Sequence, residues 1–191
     1  MLNSFKDKKI KLIAHNSTYD YRFLFKYLYN INELTRGTKL ISCEARFNKI
    51  KIKIIDSYKL ISEPLRKFPE MFKINGLIKE VMPYDLYNNV KDIYNNKYQN
   101  INYVLKKYIK KEDQEQFLNN INKWNLQEDD KYDIIEYSRQ YCLIDCYILK
   151  EGYNKFKEML KYLKISLDDH LTSASIANQY LINNECFYGC Y

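Results

Sequence analysis

The sequence predicts an α/β fold, a mixed sheet with flanking helices, and three stretches predict it. Ile10 to His15 is an apolar run of strand length that ends in a polar loop and is followed at once by a helical pattern. Ile50-Lys51-Ile52-Lys53-Ile54 alternates strictly, as a strand with one buried face does. Asp133 to Leu160 repeats apolar residues at helical spacing over a length no strand reaches.

The remaining elements follow in order. Met1 to Lys9 is polar and charged. After the first strand, Tyr21 to Asn30 reads as a helix whose stripe is Phe23, Leu24, Tyr27 and Leu28. Asn32 to Thr38 reads as a loop pivoting on Gly37, and Lys39 to Phe47 pairs with Ile50 to Asp56 around a turn at Asn48-Lys49. One face of that hairpin is apolar and the other lysine. Pro64 to Phe72 reads as a short amphipathic helix, and Asp85 to Asn100, rich in Tyr, Asn, Lys and Asp, as a surface insertion. Ile101 to Ile109 and Gln114 to Trp124 are predicted helices, followed by the acidic turn Glu128-Asp129-Asp130.

In the long helix the predicted core stripe is Ile135, Cys142, Cys146, Leu149, Tyr153, Phe156 and Leu160. Tyr141 and Asp145 project one turn apart, in line with Ile148 and Gly152, so a second packed face is expected there. Leu171 to Leu181 reads as a final amphipathic helix.

At 191 residues the chain is long enough for one domain with a real core and a tail. Its +7 charge is unevenly spread: Met1 to Lys111 holds 23 basic and 10 acidic residues, the remainder 8 and 14. The first part therefore suits a polyanion. The chain is heavy in Lys, Asn, Ile and Tyr, with four Gly and three Pro, a bias that AT-rich codons produce in any protein. Five Cys, an odd number without a C-x-x-C, argue against a disulfide framework and for a reducing compartment; packed thiols are the expected role of Cys142 and Cys146. With no secretory signal and no long apolar run, the reading is an intracellular chain without membrane contact.

The loop after the first strand delivers His15, Asn16, Tyr19 and Asp20 within six positions, at the carboxyl end of a strand, where α/β folds build sites. Helix capping explains Asp20 alone. The pattern His15-Asn16-x-x-Tyr19-Asp20 resembles the second exonuclease motif of family B DNA polymerases, in the form closest to their protein-primed branch. Three further elements resemble that branch in the same order: Ser57-Tyr58-Lys59-Leu60-Ile61, with Tyr58 where Leu is usual; Lys79 and Tyr84; and Tyr141-x-x-x-Asp145, which matches the third exonuclease motif. The resemblance runs from about Ile10 to about Gly152, and the tail looks like the segment leading from exonuclease to polymerase domain.

The resemblance implies a partial RNase H-like exonuclease domain over residues 1–160, its first strands missing, and a connector over 161–191. It implies removal of a 3′ nucleotide with two Mg²⁺ or Mn²⁺ ions clamping the attacking and leaving oxygens. Asp20 and Asp145 would be metal carboxylates, Tyr141 would position the water, and Lys79 would neutralise a phosphate oxygen. His15, Asn16, Tyr19, Ser57 and Tyr84 would hold the strand. The implied partners are a single-stranded DNA 3′ end or primer-template, a terminal protein primer, and the rest of the polymerase.

The family's first motif, a strand-borne Asp-x-Glu, is absent ahead of Ile10: Met1 to Lys9 holds only Asp7, with Lys9 where Glu would stand. The polymerase palm motifs are absent too. The chain therefore reads as an interior piece of such a polymerase, a poor nuclease by itself. The competing reading is a non-catalytic remnant that binds single-stranded DNA. Either way, the Ile10–Ala14 strand is expected to present an unpaired edge or to recruit a strand from another chain.

Overall fold

The computed structural model describes residues 9–76, 81–88 and 90–189. In chain order these form β1 (Lys9–Ala14), α1 (Thr18–Phe25), β2 (Tyr29–Arg36), β3 (Lys39–Phe47), β4 (Ile50–Asp56), α2 (Phe68–Met71), α3 (Val90–Asn95), β5 (Tyr98–Asn100), α4 (Ile101–Tyr108), α5 (Gln114–Lys123), β6 (Gln127–Glu128), β7 (Lys131–Asp133), α6 (Ile134–Tyr162) and α7 (Ser173–Asn183). The chain divides into two compact units, Met1–Phe72 with Glu151–Tyr191, and Lys73–Lys150, so the division falls inside α6.

The first unit holds a mixed four-stranded sheet in the order β1-β4-β3-β2. β1 pairs parallel with β4, and the β4-β3 and β3-β2 ladders are antiparallel. The β3-β4 hairpin has the predicted boundaries, because Asn48 and Lys49 both take positive φ, as a tight turn matching strand twist requires. Its alternation also holds: Ile50, Ile52 and Ile54 are buried while Lys51 is exposed. Burying each such isoleucine contributes about 1.5–3 kcal/mol. They pack with Leu40, Cys43, Ala45, Ile10, Leu12 and Tyr21. Among the described residues β1 pairs with β4 alone and lies at the sheet edge.

Two expectations fail around α1. The helix ends at Phe25 rather than Asn30, and the predicted loop over 32–38 is mostly strand β2. Asn30 takes φ +50, which no helix accommodates, and Glu33 and Leu34 lie opposite Cys43 and Ser42. Gly37 is the pivot of the β2-β3 turn, with φ +61. The predicted stripe is not the buried face either: Phe23, Leu24 and Tyr27 are exposed, and Tyr21 is the buried anchor. The Tyr21 hydroxyl donates to Glu33 Oε1 at 2.6 Å, and Thr18 Oγ1 accepts the Leu40 N–H at 3.1 Å. Two polar anchors thus orient this short helix against β2 and β3.

The second unit carries a small antiparallel sheet, β5-β7-β6, with α3, α4, α5 and the first half of α6. The supposed surface insertion contributes here: Tyr98–Asn100 pairs with Lys131–Asp133, and Ile93 is buried in the core. That core centres on Phe117, Tyr132 and Tyr137, whose rings meet at 5.0–5.6 Å, with Trp124 against Tyr137. The Tyr137 hydroxyl donates to the Val81 carbonyl at 2.7 Å, so this large side chain is buried without an orphaned polar atom.

Along α6 the buried residues are Ile134, Tyr137, Tyr141, Ile148, Gly152, Tyr153 and Leu160. The face in line with Tyr141 is therefore packed, as expected. Cys142 and Cys146, placed in the core by the sequence pattern, are exposed. The pattern was rotated because tyrosines, which have a polar tip, supply the helix's buried bulk. Asp133 starts the helix by accepting the N–H groups of Ile135 and Glu136 at 3.0 and 3.1 Å. No helix among the described residues is long and apolar enough to cross a membrane.

Candidate functional site

In the first unit, β1 and β4 run parallel and end together, with Ala14 opposite Asp56. The chain leaves β1 through Asn16, whose φ of +59 is a left-handed turn that Asn tolerates better than most residues. Asp56, 1% exposed, holds that turn: its Oδ1 accepts the Asn16 N–H at 2.8 Å and the Tyr58 N–H at 3.0 Å. One carboxylate oxygen thus fastens both strand ends. These charge-assisted bonds are stronger than neutral ones.

His15 is fastened beside it. Its Nε2 lies 2.8 Å from the Glu63 carbonyl and its Nδ1 3.0 Å from Ser57 Oγ. A carbonyl only accepts, so Nε2 carries a proton. Ser57 Oγ also donates to the Ala14 carbonyl at 3.0 Å, and Ser57 is fully buried. The imidazole packs edge-on against Tyr58 and Phe68, with ring centroids at 5.3 and 5.0 Å. His15 and Ser57 therefore face the protein, while Asn16, Tyr19 and Asp20 face solvent. Tyr19 is 67% exposed and meets Phe23 edge-on at 5.0 Å.

Asp20 sits in the first turn of α1. Its carboxyl is held above the usual aspartate range, mainly by partial desolvation and further by the negative charge of Asp56, against the lowering effect of a backbone hydrogen bond. A cation at this point would relieve that repulsion.

In the second unit, Tyr84 and Tyr141 meet with their hydroxyl oxygens 2.5 Å apart. Asp145 lies one turn along α6 and acts on the Tyr141 phenol. Either hydroxyl of the Tyr84–Tyr141 pair can be the donor. Burial, then the Tyr84 bond and the Asp145 charge, push the Tyr141 phenol far above the ordinary tyrosine value. Tyr141 is a neutral donor at any physiological pH. Tyr84 is exposed, which leaves its ring open to a ligand. Lys79, the fourth predicted catalytic residue, lies outside the described residues.

Within each unit the predicted residues are brought together: His15, Asn16, Tyr19, Asp20 and Ser57 in one, Tyr84, Tyr141 and Asp145 in the other. Sequence reasoning missed Asp56, Glu63 and Phe68. Asp56 had a readable signal, an aspartate closing an otherwise apolar strand directly before Ser57. Glu63 acts through its backbone carbonyl, which leaves no mark on residue type.

Among the described residues, no three His, Cys, Asp or Glu side chains converge to hold a metal ion. A hard divalent cation takes more oxygen ligands than one or two carboxylates provide. The described residues do not by themselves fit a two-ion centre.

No curated protein and no solved structure matches the chain. A family model described as DNA polymerase type B, organellar and viral, matches residues 1–184, nearly the whole length. With its α/β units and the motif residues gathered as described, the chain belongs to the organellar and viral family B DNA polymerases.

Proposed function

We propose that this chain is part of the proofreading 3′-5′ exonuclease of a protein-primed member of that family, with an RNase H-like fold, and that it grips a single-stranded DNA 3′ end. The observation that carries the reading is the Asn16-x-x-Tyr19-Asp20 turn, presented at the carboxyl ends of two parallel strands and clamped by a buried aspartate. Tyr19 offers an exposed ring on which a base can stack. Asn16 offers a side-chain amide beside it. Ser57, being buried, works through His15 rather than by touching DNA.

Asp20 and Asp145 are the carboxylates proposed for Mg²⁺ or Mn²⁺, and Lys79 the proposed partner of a phosphate oxygen. Tyr141 is the residue proposed to position the attacking water, and Tyr84 holds Tyr141 and presents its ring. Two carboxylates fall short of a complete two-ion centre, so cleavage is assigned to the intact polymerase and this chain alone is impaired. Primer-template DNA, a terminal protein primer and the remaining polymerase segments are the partners this reading implies. The same shortfall favours a second reading, a chain that binds single-stranded DNA without cutting it.

The test compares Asp20→Ala and Asp145→Ala in the full-length polymerase on a 3′-labelled single strand. Loss of metal-dependent degradation with binding retained is expected; degradation equal to the parent protein overturns the exonuclease reading. The binding reading requires salt-dependent association of the chain alone, left intact or strengthened by either substitution. No association at low salt disposes of it.

A further inference from the structure

The sheet of the first unit has a second face, and its charges are distributed unequally between two adjacent rows. In one row Lys11 lies beside Lys53, which lies opposite Glu44, which lies opposite Asn32. Both lysines there are matched: Lys11 Nζ meets Asp168 Oδ1 at 2.7 Å and Lys53 Nζ meets Glu44 Oε1 at 3.7 Å. In the next row Lys9 lies beside Lys51, Lys51 opposite Arg46, and Arg46 opposite Tyr29. Three cations stand side by side on three neighbouring strands, and no carboxylate among the described residues pairs with any of them.

Like charges directly opposite one another on a sheet are destabilising. An anion laid across them reverses the sign of that term. The surface over the row is a concavity of about 270 Å³, lined by Lys9, Arg46 and Lys51 together with Asn30, Asn32 and Glu44, the last of these an acid already paired with Lys53. Strands lie about 4.8 Å apart, so the three cations span roughly 10 Å, longer than one phosphate group and suited to a run of them. Asn30 and Asn32 add neutral donors.

We propose that Lys9, Arg46 and Lys51 form a binding row for the phosphodiester backbone of DNA. It lies on a sheet face and has no helix or ribbon to enter a groove, so the role assigned to it is backbone positioning rather than sequence readout. It is independent of the proofreading site: the residues proposed there leave the carboxyl ends of β1 and β4, whereas Lys9 and Lys51 stand at the amino ends of those strands. The row would hold DNA whether or not the exonuclease reading is correct, and it needs no divalent metal.

The experiment is fluorescence anisotropy of the whole chain with a labelled single-stranded oligodeoxynucleotide, in chelator, across a salt series. Each phosphate contact on a single strand contributes about 0.7 to the slope of log K against log salt. The triple variant Lys9→Glu, Arg46→Glu, Lys51→Glu is expected to flatten that slope by about 2 and to weaken binding at least ten-fold at low salt. A charge-preserving variant, Lys9→Arg, Arg46→Lys, Lys51→Arg, is expected to keep the slope. An unchanged slope in the charge-reversed protein overturns the proposal, as does an equal loss in the charge-preserving one. Asn16→Ala with Tyr19→Ala separates the two sites: removing an uncharged amide and a stacking ring is expected to weaken binding while the salt slope persists, and abolition of the slope by that pair assigns the cation contacts to the proofreading loop and overturns the row.

Discussion

Asp56 and Asn16, forty positions apart in sequence, are joined by a hydrogen bond of 2.8 Å from the Asn16 N–H to a carboxylate that is almost wholly buried. That bond holds the left-handed turn from which Tyr19 and Asp20 project. Replacing Asp56 by Ala strands two backbone N–H groups and is expected to destabilise the protein by about 2–3 kcal/mol. Asp56→Asn keeps an acceptor but removes the charge. The Asp20 carboxyl should then titrate lower than in the parent, measured by NMR; an unaltered titration would show that Asp56 does not act on Asp20.

Asp20 itself is held above its ordinary value in the folded chain. The folded state therefore keeps its proton to higher pH than the unfolded state, and ionising Asp20 costs stability once pH passes the unfolded value of about 3.9. Asp20→Asn is expected to raise the melting temperature at neutral pH and to leave it unchanged well below that value. A lower melting temperature at neutral pH would contradict this.

Gly152 stands in α6 with the Phe68 ring where a Cβ would be, and Phe72 3.1 Å from the same point. Gly→Ala inside a helix ordinarily gains about 1 kcal/mol. Here the methyl must displace Phe68, which in turn packs on His15. Gly152→Ala is expected to cost about 1–3 kcal/mol net in chemical denaturation, as overpacking does. A net gain would mean the ring yields freely.

Asp168 bridges Lys11 at 2.7 Å and Lys157 at 2.5 Å, and these two bonds hold its carboxyl down at about 2. A depressed carboxylate stabilises the fold fully above the unfolded value of about 3.9 and loses that contribution as pH falls through about 2. Asp168→Asn should lower stability at neutral pH and converge with the parent below about pH 2, in urea titrations at a series of pH values. Because the carboxyl is half exposed, the neutral-pH difference should be small and should shrink in salt.

Tyr141 is buried, bonded to Tyr84 and close to the Asp145 charge, so it should stay un-ionised in an alkaline titration until the chain unfolds. Tyr141→Phe removes a buried hydroxyl that is bonded to Tyr84 and should cost about 1–3 kcal/mol. Tyr84→Phe removes one bond from an exposed ring and should cost less than half as much. Equal costs would show that Tyr141 gains nothing from its burial beyond the bond it shares with Tyr84.

What the sequence determined by itself was whatever repeats over a few residues. Strict alternation in Ile50–Ile54 set the β3-β4 hairpin and its faces, and the long helical period set α6 to within two residues at each end. The motif residues were legible as residue types, and those within each unit do gather. Tertiary structure decided the rest. Whether Tyr29–Arg36 continued a helix or joined a sheet depended on β3 being alongside, because an exposed edge strand has little pattern of its own and takes its conformation from its partner's hydrogen bonds. Which face of α6 was buried depended on what tyrosine hydroxyls found to bond, a choice hydrophobic spacing does not record. Asp56 clamps Asn16 across forty residues. A parallel strand pair makes that contact, and no local pattern can announce it, because its two ends are chosen by register rather than by spacing.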